Sequence, residues 1–206
     1  MTPLDEEQVR EVVREVLRRH LGAPADGAGA AMNQAVDQRV TTSDTAFQRD
    51  HAKSSKRRVA IGADHGGVEL KGLLVKHLQG EGFDVMDVGP FDKQSVDYPD
   101  YAYAVAKLVS DGAVEVGIMI DGVGIGSCMA ANKVPQVRAS LCYDVSTARN
   151  ARAHNHANYL ALGGQLIGPL LAKQIVSAWL STPFGPGRHA NRVQKIMEIE
   201  ARYAKR

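Results

Sequence analysis

The stretch VGIMIDGVGIG, residues 116–126, joins an apolar run to a glycine-rich turn. The run shows no alternation of apolar and polar residues, which is typical of a strand buried on both faces of a parallel sheet. It ends at an ionisable residue, Asp121, and the glycines that follow let a ligand approach the backbone closely. A helix is predicted to begin near Ser127. This order of strand, turn and helix predicts an α/β fold with a small-molecule site where the strand ends.

Four further apolar runs flank this one, and each is followed by a stretch that we predict to be helical. They are RVAIGA (58–63), FDVMDVG (83–89), RASLCYD (138–144) and NYLALGG (158–164). Alternating strands and helices imply right-handed crossovers and a parallel sheet covered on both faces, which is the doubly wound α/β class. Ligands of such sheets bind beyond the carboxyl ends of the strands. The polar residues that we expect there include Asp64, His65, Asp97, Tyr98 and Asp121.

The composition limits the classes of function. The chain has 206 residues, of which 44% are hydrophobic, so it can bury one sizeable core. Its formal net charge of +2 gives no reason to expect nucleic acid as a partner. Cys128 and Cys142 do not form a disulfide pattern, no apolar run is long enough to span a bilayer, and the N-terminus lacks the apolar core of a secretory signal. We therefore expect a cytoplasmic protein that binds neither nucleic acid nor a membrane.

The N-terminal region differs in composition from the rest of the chain. Residues 1–22 predict an amphipathic helix, because Pro3 and acidic residues open it, and basic residues precede Gly22. Residues 23–57 are rich in small residues and predict a flexible linker. The helix either docks on its own domain or a second copy, or targets another protein. Helix and linker together resemble the encapsulation peptides of bacterial microcompartments, which implies a shell protein as partner and a location inside such a compartment.

The glycine loop itself has several interpretations. Its backbone N–H groups and the following helix can hold an oxyanion or a phosphate. The glycines can also serve a tight turn and nothing more. The spacing G-x-G-x-G after the third strand differs from the dinucleotide fingerprint, G-x-G-x-x-G after the first, although Asp144 lies about 20 residues on, where such sites place an acid. We therefore favour an oxyanion or a phosphate as the ligand over a dinucleotide.

From residue 58 onward the chain resembles the ribose-5-phosphate isomerase type B family, which includes the galactose-6-phosphate isomerase subunits. The resemblance implies a Rossmann-like three-layer sandwich, with one isomerase domain over residues 58–206. It also implies a homodimer, or a dimer of dimers, whose active sites are shared between subunits. The matching stretches, in order and at the family's spacing, are IGADHGGVELK (61–71), SVDYPDYA (95–102), GVGIG (122–126), AANK (130–133), RASLCYD (138–144), ARAHNHANYLALGG (151–164) and GPGRHANRV (185–193).

The resemblance further implies aldose–ketose isomerisation of a phosphorylated sugar, ribose 5-phosphate to ribulose 5-phosphate, without metal or organic cofactor. The reaction needs a group that opens the sugar ring, a base, donors for the enediolate and cations for the phosphate. By family position His154 opens the ring, with Asn155 beside it, and Gly122, Gly124 and Gly126 form the loop at the enediolate. The implied contacts of the sugar are Asp64, His65, Asp97 and Tyr98, and those of the phosphate are Arg188, His189 and Arg192.

Three positions depart from the family's pattern. Asp121 stands where a cysteine base is usual, and some members use a glutamate at the position of Ser127. A buried carboxylate can remove a proton next to a carbonyl, so we assign the base to Asp121 ahead of Cys128, whose thiol at a helix N-terminus is the second candidate. Val123 replaces a threonine or serine, and Gln165 replaces a phosphate-binding arginine. These changes leave open an isomerase of a different sugar phosphate and a catalytically silent sugar-phosphate binder or scaffold.

Overall fold

The computed structural model describes residue 11, residues 57–185 and residues 187–203. The described chain forms a five-stranded sheet in which all neighbouring strands are parallel, in the order β2-β1-β3-β5-β4. This confirms the predicted doubly wound α/β class. The fourth strand is shorter than its apolar run suggested. The strands are β1 Arg58–Ala63, β2 Asp84–Gly89, β3 Val116–Asp121, β4 Ala139–Leu141 and β5 Tyr159–Gly163.

A helix follows each strand, and a second helix follows the last one. The helix predicted to begin near Ser127 begins two residues earlier, because Gly124, with a φ of +82°, completes the turn directly before it. An L-residue with a side chain rarely adopts such an angle. The helices are α1 Val68–Gly80, α2 Tyr98–Ser110, α3 Ile125–Ala131, α4 Val145–Asn155, α5 Pro169–Ser181 and α6 Arg188–Tyr203.

Each face of the sheet packs against its own layer of helices. On one face α1, α4 and α5 bury a core that includes Leu74, Ile118 and Trp179. On the other face α2 and α3 bury a core that includes Val105 and Met119. All six residues of β3 are buried, which explains why its sequence does not alternate. Full burial of each large apolar side chain contributes about 1.5–3 kcal/mol to the two cores.

The winding of the sheet creates a crevice next to β3. From β1 the chain moves outward to β2, and it then returns to β3 on the opposite side of β1. Loops that leave β1 and β3 therefore turn to opposite faces, and the space between them is where doubly wound folds bind ligands. The turn after β1 is joined to β3 by a hydrogen bond from the N–H of Asp64 to the carbonyl oxygen of Ile120 at 2.9 Å. The predicted site residues Asp64 and Asp121 lie beside this crevice, where β1 and β3 end.

The N-terminal predictions lie largely outside the described residues. The structure describes only Glu11 of the predicted helix over residues 1–22, and only Arg57 of the predicted linker over residues 23–57. Arg57 belongs with the domain, because its guanidinium pairs with Glu115 at 3.2 Å and donates to the carbonyl oxygen of Leu180 at 3.0 Å. Within the described ranges, every helix is too short or too polar to cross a bilayer.

Candidate active site

The residues predicted for the site form two groups at opposite edges of the sheet. Asp64 and Asp121 lie where β1 and β3 end. At the opposite edge, where strands begin, His154 lies in the last turn of α4 and Arg188 begins α6. Six residues of β3 at about 3.3 Å each separate these edges by roughly 20 Å, so one chain does not bring the groups together. We call Asp64, His65, Asp97, Tyr98 and Asp121, with loop 122–126, the carboxylate group, and His154, Asn155, Arg188, His189 and Arg192 the histidine–arginine group.

The Asp64 carboxylate is built into the turn after β1. Its Oδ1 accepts the N–H groups of Gly66 and Gly67 at 2.9 and 3.0 Å. Glycine is required at position 67, because a Cβ there would lie 2.4 Å from the carbonyl oxygen of Ile120. Since both bonds fall on Oδ1, the other oxygen is the one through which Asp64 can meet a sugar hydroxyl.

His65, Asp97 and Tyr98 line the same edge of the sheet. The His65 Nδ1 accepts the N–H of Val96 at 3.5 Å, which ties the turn after β1 to the segment before α2. Asp97 is the N-cap residue of α2, but its carboxylate makes no capping hydrogen bond and is exposed. Tyr98 is also exposed. The structure thus places these three predicted contacts at the same edge of the sheet, with Asp97 and Tyr98 both exposed.

The Asp121 carboxylate is almost buried and is surrounded by backbone donors of its own loop. Its Oδ1 accepts the N–H groups of Val123, at 2.9 Å, and of Gly124, and its Oδ2 accepts the N–H of Ser127 at 3.0 Å. Asp121 is 4% exposed. The sequence predicted that the N–H groups of this loop hold an enediolate or phosphate. In the structure the N–H groups of Val123 and Gly124 in this loop, and that of Ser127 after it, already have the Asp121 carboxylate as their acceptor.

Neighbouring side chains hold the glycine loop in place. The Tyr143 hydroxyl, from the end of β4, donates to the carbonyl oxygen of Val123 at 2.7 Å. A Cβ at Gly126 would lie 2.5 Å from carbons of the Tyr98 ring, so that ring packs directly on the glycine. A Cβ at Gly124 would lie 2.4 Å from Cδ1 of Leu141. Glycine is therefore needed at both positions for close packing. From the sequence we had explained these glycines by the approach of a ligand to the backbone.

The two other departures from the family's pattern border the same loop. Val123 is 42% exposed and presents an apolar side chain beside the crevice. The backbone N–H of Gln165 donates to the carbonyl oxygen of Gly122 at 3.0 Å. Its amide carbon would lie 3.6 Å from a Cβ at Gly122, and its Nε2 3.5 Å from a Cβ at Gly66. The Gln165 side chain therefore lies between the turns that follow β1 and β3.

Cys128, the second candidate base, lies in an unfavourable environment. Burial raises the pKa of this thiol, and the neighbouring Cys142 and Asp121 raise it further. Its Sγ donates to the carbonyl oxygen of Ala139 at 3.5 Å. The sequence allowed a lowered pKa at a helix N-terminus, but here burial outweighs that effect. A thiol that stays protonated cannot act as a base.

In the histidine–arginine group, two imidazole rings are stacked. The rings of His154 and His189 are 4.1 Å apart between centroids and 4° from parallel. Loss of contact with water lowers the pKa of His189, and His154, Arg188 and Arg192 lower it further. Arg188 and Arg192 are four residues apart on α6 and so share a face of the helix. The structure thus brings the residues of the predicted phosphate contact together at the start of α6.

Two supporting residues escaped sequence reasoning. Lys71 is only 2% exposed, pairs with the Asp87 carboxylate and lies 4.9 Å from the centre of the Phe91 ring. It thereby joins α1 to the segment that leads to Asp97, and no sequence signal marks it, since lysine is usually exposed. Asn150 contacts His154. The sequence could have revealed this contact, because the two residues are four apart on a predicted helix and so lie on the same face.

Comparison with known proteins identifies the fold and its family. The family model described as ribose/galactose isomerase matches residues 59–196. The chain belongs to the ribose/galactose isomerase family. This confirms the family named by resemblance, and with it the expectation of an isomerase.

Two relatives and one solved structure show how close the likeness is. This member of the ribose/galactose isomerase family is 43% identical over 146 residues to ribose-5-phosphate isomerase B of Escherichia coli K12, which covers 71% of this chain and 98% of that protein. It is 43% identical over 140 residues to D-erythrulose-4-phosphate isomerase of Pectobacterium atrosepticum, covering 67% and 91%. The structure of Clostridium thermocellum ribose-5-phosphate isomerase B matches with a TM-score of 0.70 at 47% identity, covering 71% of this chain and 99% of that one.

The contact between Tyr98 and Gly126 can be tested with a pair of glycine variants. Gly126→Ala should cost roughly 1–3 kcal/mol of unfolding free energy and weaken binding of a phosphorylated sugar, because the new methyl group displaces the Tyr98 ring. Gly72→Ala is the control, since a Cβ there meets nothing within 4 Å and alanine favours the helix by about 0.5–1 kcal/mol. Urea unfolding and calorimetric titration measure the two effects. Equal tolerance of both substitutions would show that the ring does not rest on Gly126.

Proposed function

We propose that this isomerase interconverts an aldose and a ketose phosphate, with ribose 5-phosphate and ribulose 5-phosphate as its pair of substrates. The observation that carries the proposal is the pair of complementary groups at the two edges of the sheet. One edge offers carboxylates fixed on backbone N–H groups, and the other offers stacked histidines beside two arginines. Proton transfer at a sugar carbon and binding of a phosphate require these two kinds of group.

In the proposed reaction a proton moves between neighbouring carbons and nothing is consumed. After His154 has helped to open the ring, Asp121 takes the proton from C2 of the open-chain aldose, and the electron pair forms the enediolate. A proton passes from the C2 hydroxyl to the oxygen on C1, and return of the carbon-bound proton from Asp121 to C1 then gives the ketose. Arg188, His189 and Arg192 hold the phosphate, and the other members of the carboxylate group bind hydroxyl groups of the sugar.

The Asp121 carboxylate has two oxygens, and their hydrogen bonds indicate which of them can act as the base. Three N–H donors fix the orientation of the Asp121 carboxylate. Oδ2 accepts a single N–H, whereas Oδ1 accepts two, so Oδ2 has the lone pair that can receive the substrate's proton.

We further propose that the active site forms between two copies of the chain. Apolar side chains are exposed beside the carboxylate group, and α6 is amphipathic with no buried residue in the described chain. An isologous dimer buries the same surface on both copies and brings the histidine–arginine group of each to the crevice of the other. The exposed apolar residues near the crevice are Val123, Ile125, Met129, Tyr143, Leu166 and Leu170, and those on α6 include Ile196 and Ile199.

One observation favours a second candidate function, a sugar-phosphate binder without turnover. Asp121 occupies donors of its own loop, and Val123 and Gln165 add no charge to the crevice. Such a protein would bind a phosphorylated sugar acid in calorimetry and leave ribose 5-phosphate unchanged. Measurable isomerisation by the purified wild-type chain would exclude it.

The base role of Asp121 predicts a large loss of turnover for a substitution that barely changes shape. Asp121→Asn should lower kcat for ribose 5-phosphate by roughly 100-fold or more, because an amide cannot take up the C2 proton. Asp144→Asn is the matched control, since Asp144 also accepts a backbone N–H, that of Thr147 at 2.8 Å, and asparagine caps a helix equally well. Turnover near the wild-type value in Asp121→Asn would rule out the base role.

Shared active sites predict rescue in mixed dimers. Asp121→Asn and His154→Gln chains should each be inactive alone. When the two are refolded together, activity should return to about a quarter of wild type, because half the dimers are then mixed and each of these has one intact site. If every site lay within one chain, each site in the mixture would keep one lesion and activity would stay at the level of the single variants.

We also propose that residues 1–22 bind a shell protein and carry the enzyme from the cytoplasm into a bacterial microcompartment, on the strength of the sequence pattern. Deletion of residues 1–56 should leave turnover unchanged and abolish co-purification with shell proteins, because Arg57 and the residues after it form the domain. Loss of turnover with the tail would instead indicate that the helix docks on its own domain.

A further inference from the structure

The histidine assigned to ring opening has a hydrogen-bonded neighbour on its own helix. Asn150 and His154 are one turn apart near the end of α4. The Asn150 side-chain nitrogen lies 2.9 Å from Nδ1 of His154. An amide nitrogen can only donate, so Nδ1 is the acceptor, and in the neutral ring the proton must then lie on Nε2. The contact selects one of the two tautomers of the imidazole.

The stack on His189 and the bond to Asn150 constrain the ring in different ways. Stacking fixes the plane of the His154 ring, but a half-turn about the Cβ–Cγ bond would keep the ring in that plane and leave the stack intact. The bond to Asn150 distinguishes these two orientations, because only one of them puts a nitrogen lone pair next to the amide. A proton on Nδ1 would set two donors against each other, so the contact favours the tautomer whose proton lies on Nε2.

We propose that Asn150 is a positioning residue that holds His154 as the neutral tautomer with Nε2–H directed to the ring oxygen of a cyclic sugar phosphate. This inference rests on the proposed function for the role of His154 and deepens it. Ring opening breaks the bond between C1 and the ring oxygen, and the electron pair of that bond stays on the oxygen. The C1 hydroxyl loses its proton to water and becomes the carbonyl. Nε2–H donates a hydrogen bond to the departing oxygen, which then takes a proton from water.

The tautomer can be observed without any turnover. Nitrogen-15 NMR of the full-length protein with labelled histidine distinguishes protonated from unprotonated ring nitrogens, and a His154→Gln spectrum assigns the signal of His154 among the seven histidines. Wild type should show an unprotonated Nδ1 in the neutral ring. Asn150→Leu should show a mixture of tautomers, and Asn150→Asp should move the proton to Nδ1, because a carboxylate accepts. A wild-type spectrum that matches Asn150→Leu would overturn the assignment.

Two substrates separate ring opening from the isomerisation that follows. Ribose 5-phosphate is mainly a closed ring, whereas erythrose 4-phosphate cannot form a five-membered ring, since its C4 oxygen carries the phosphate. Asn150→Leu should lower kcat/KM for ribose 5-phosphate roughly 5- to 10-fold, the worth of one hydrogen bond, and leave the value for erythrose 4-phosphate about unchanged. Equal losses on both substrates would contradict the proposal.

A control and a separate readout keep the two proposals distinct. Arg149→Leu introduces the same side chain at the neighbouring exposed position of α4 and should change neither the NMR signal of His154 nor either rate. A wild-type protein that turns over neither sugar would refute the proposed function, and the NMR experiment would still decide whether Asn150 sets the tautomer.

Discussion

Three backbone N–H groups converge on the carboxylate of Asp121, and the shape of the crevice depends on this contact. A carboxylate that is 4% exposed needs such donors, because a buried charge without hydrogen bonds is strongly unfavourable. The donors come from residues 123, 124 and 127, so the same contact fixes both the glycine loop and the first turn of α3. Tyr98 then packs on Gly126, so the Asp121 carboxylate and the Tyr98 ring together hold this wall of the crevice. The position of the carboxylate decides which backbone N–H groups of the loop remain for a ligand.

The parallel sheet separates the two groups of site residues by its own geometry. In a doubly wound fold every strand points the same way, so the residues that end strands and those that end helices collect at opposite edges. His154 lies in the last turn of α4 and Arg188 begins α6, and both lie at the edge opposite Asp121 of the same chain. The residues that we propose for one reaction are thus divided between the edges, and the proposed two-fold dimer would reunite them twice.

The fold was largely predictable from the sequence, whereas much of the site was not. Runs such as 116–121 predict buried strands because burial on both faces removes alternation. The carboxylates after β1 and β3 were also placed correctly, since a strand's end is visible in the sequence. The partners of a side chain are not visible in the sequence. Lys71 is buried against Asp87 and Phe91, which come from another part of the chain, and Asp121 accepts the N–H groups of Val123 and Gly124 in the glycine loop. Local pattern contains no information on such contacts.

The distribution of charge at the crevice indicates how a substrate must lie. In the loops at the carboxyl edge, 64–67, 90–97, 121–126 and 163–168, the one lysine or arginine is Lys93, and its ammonium already pairs with Glu69 at 2.5 Å. A phosphate therefore meets no unpaired lysine or arginine in these loops. Gln165 and Val123 present an amide and an apolar side chain there, which can contact hydroxyl groups and carbon but give a phosphate no compensating charge. If the chain acts as proposed, with the phosphate held by the arginines of α6, the two departures from the family's pattern favour a sugar with a single phosphate over one with two.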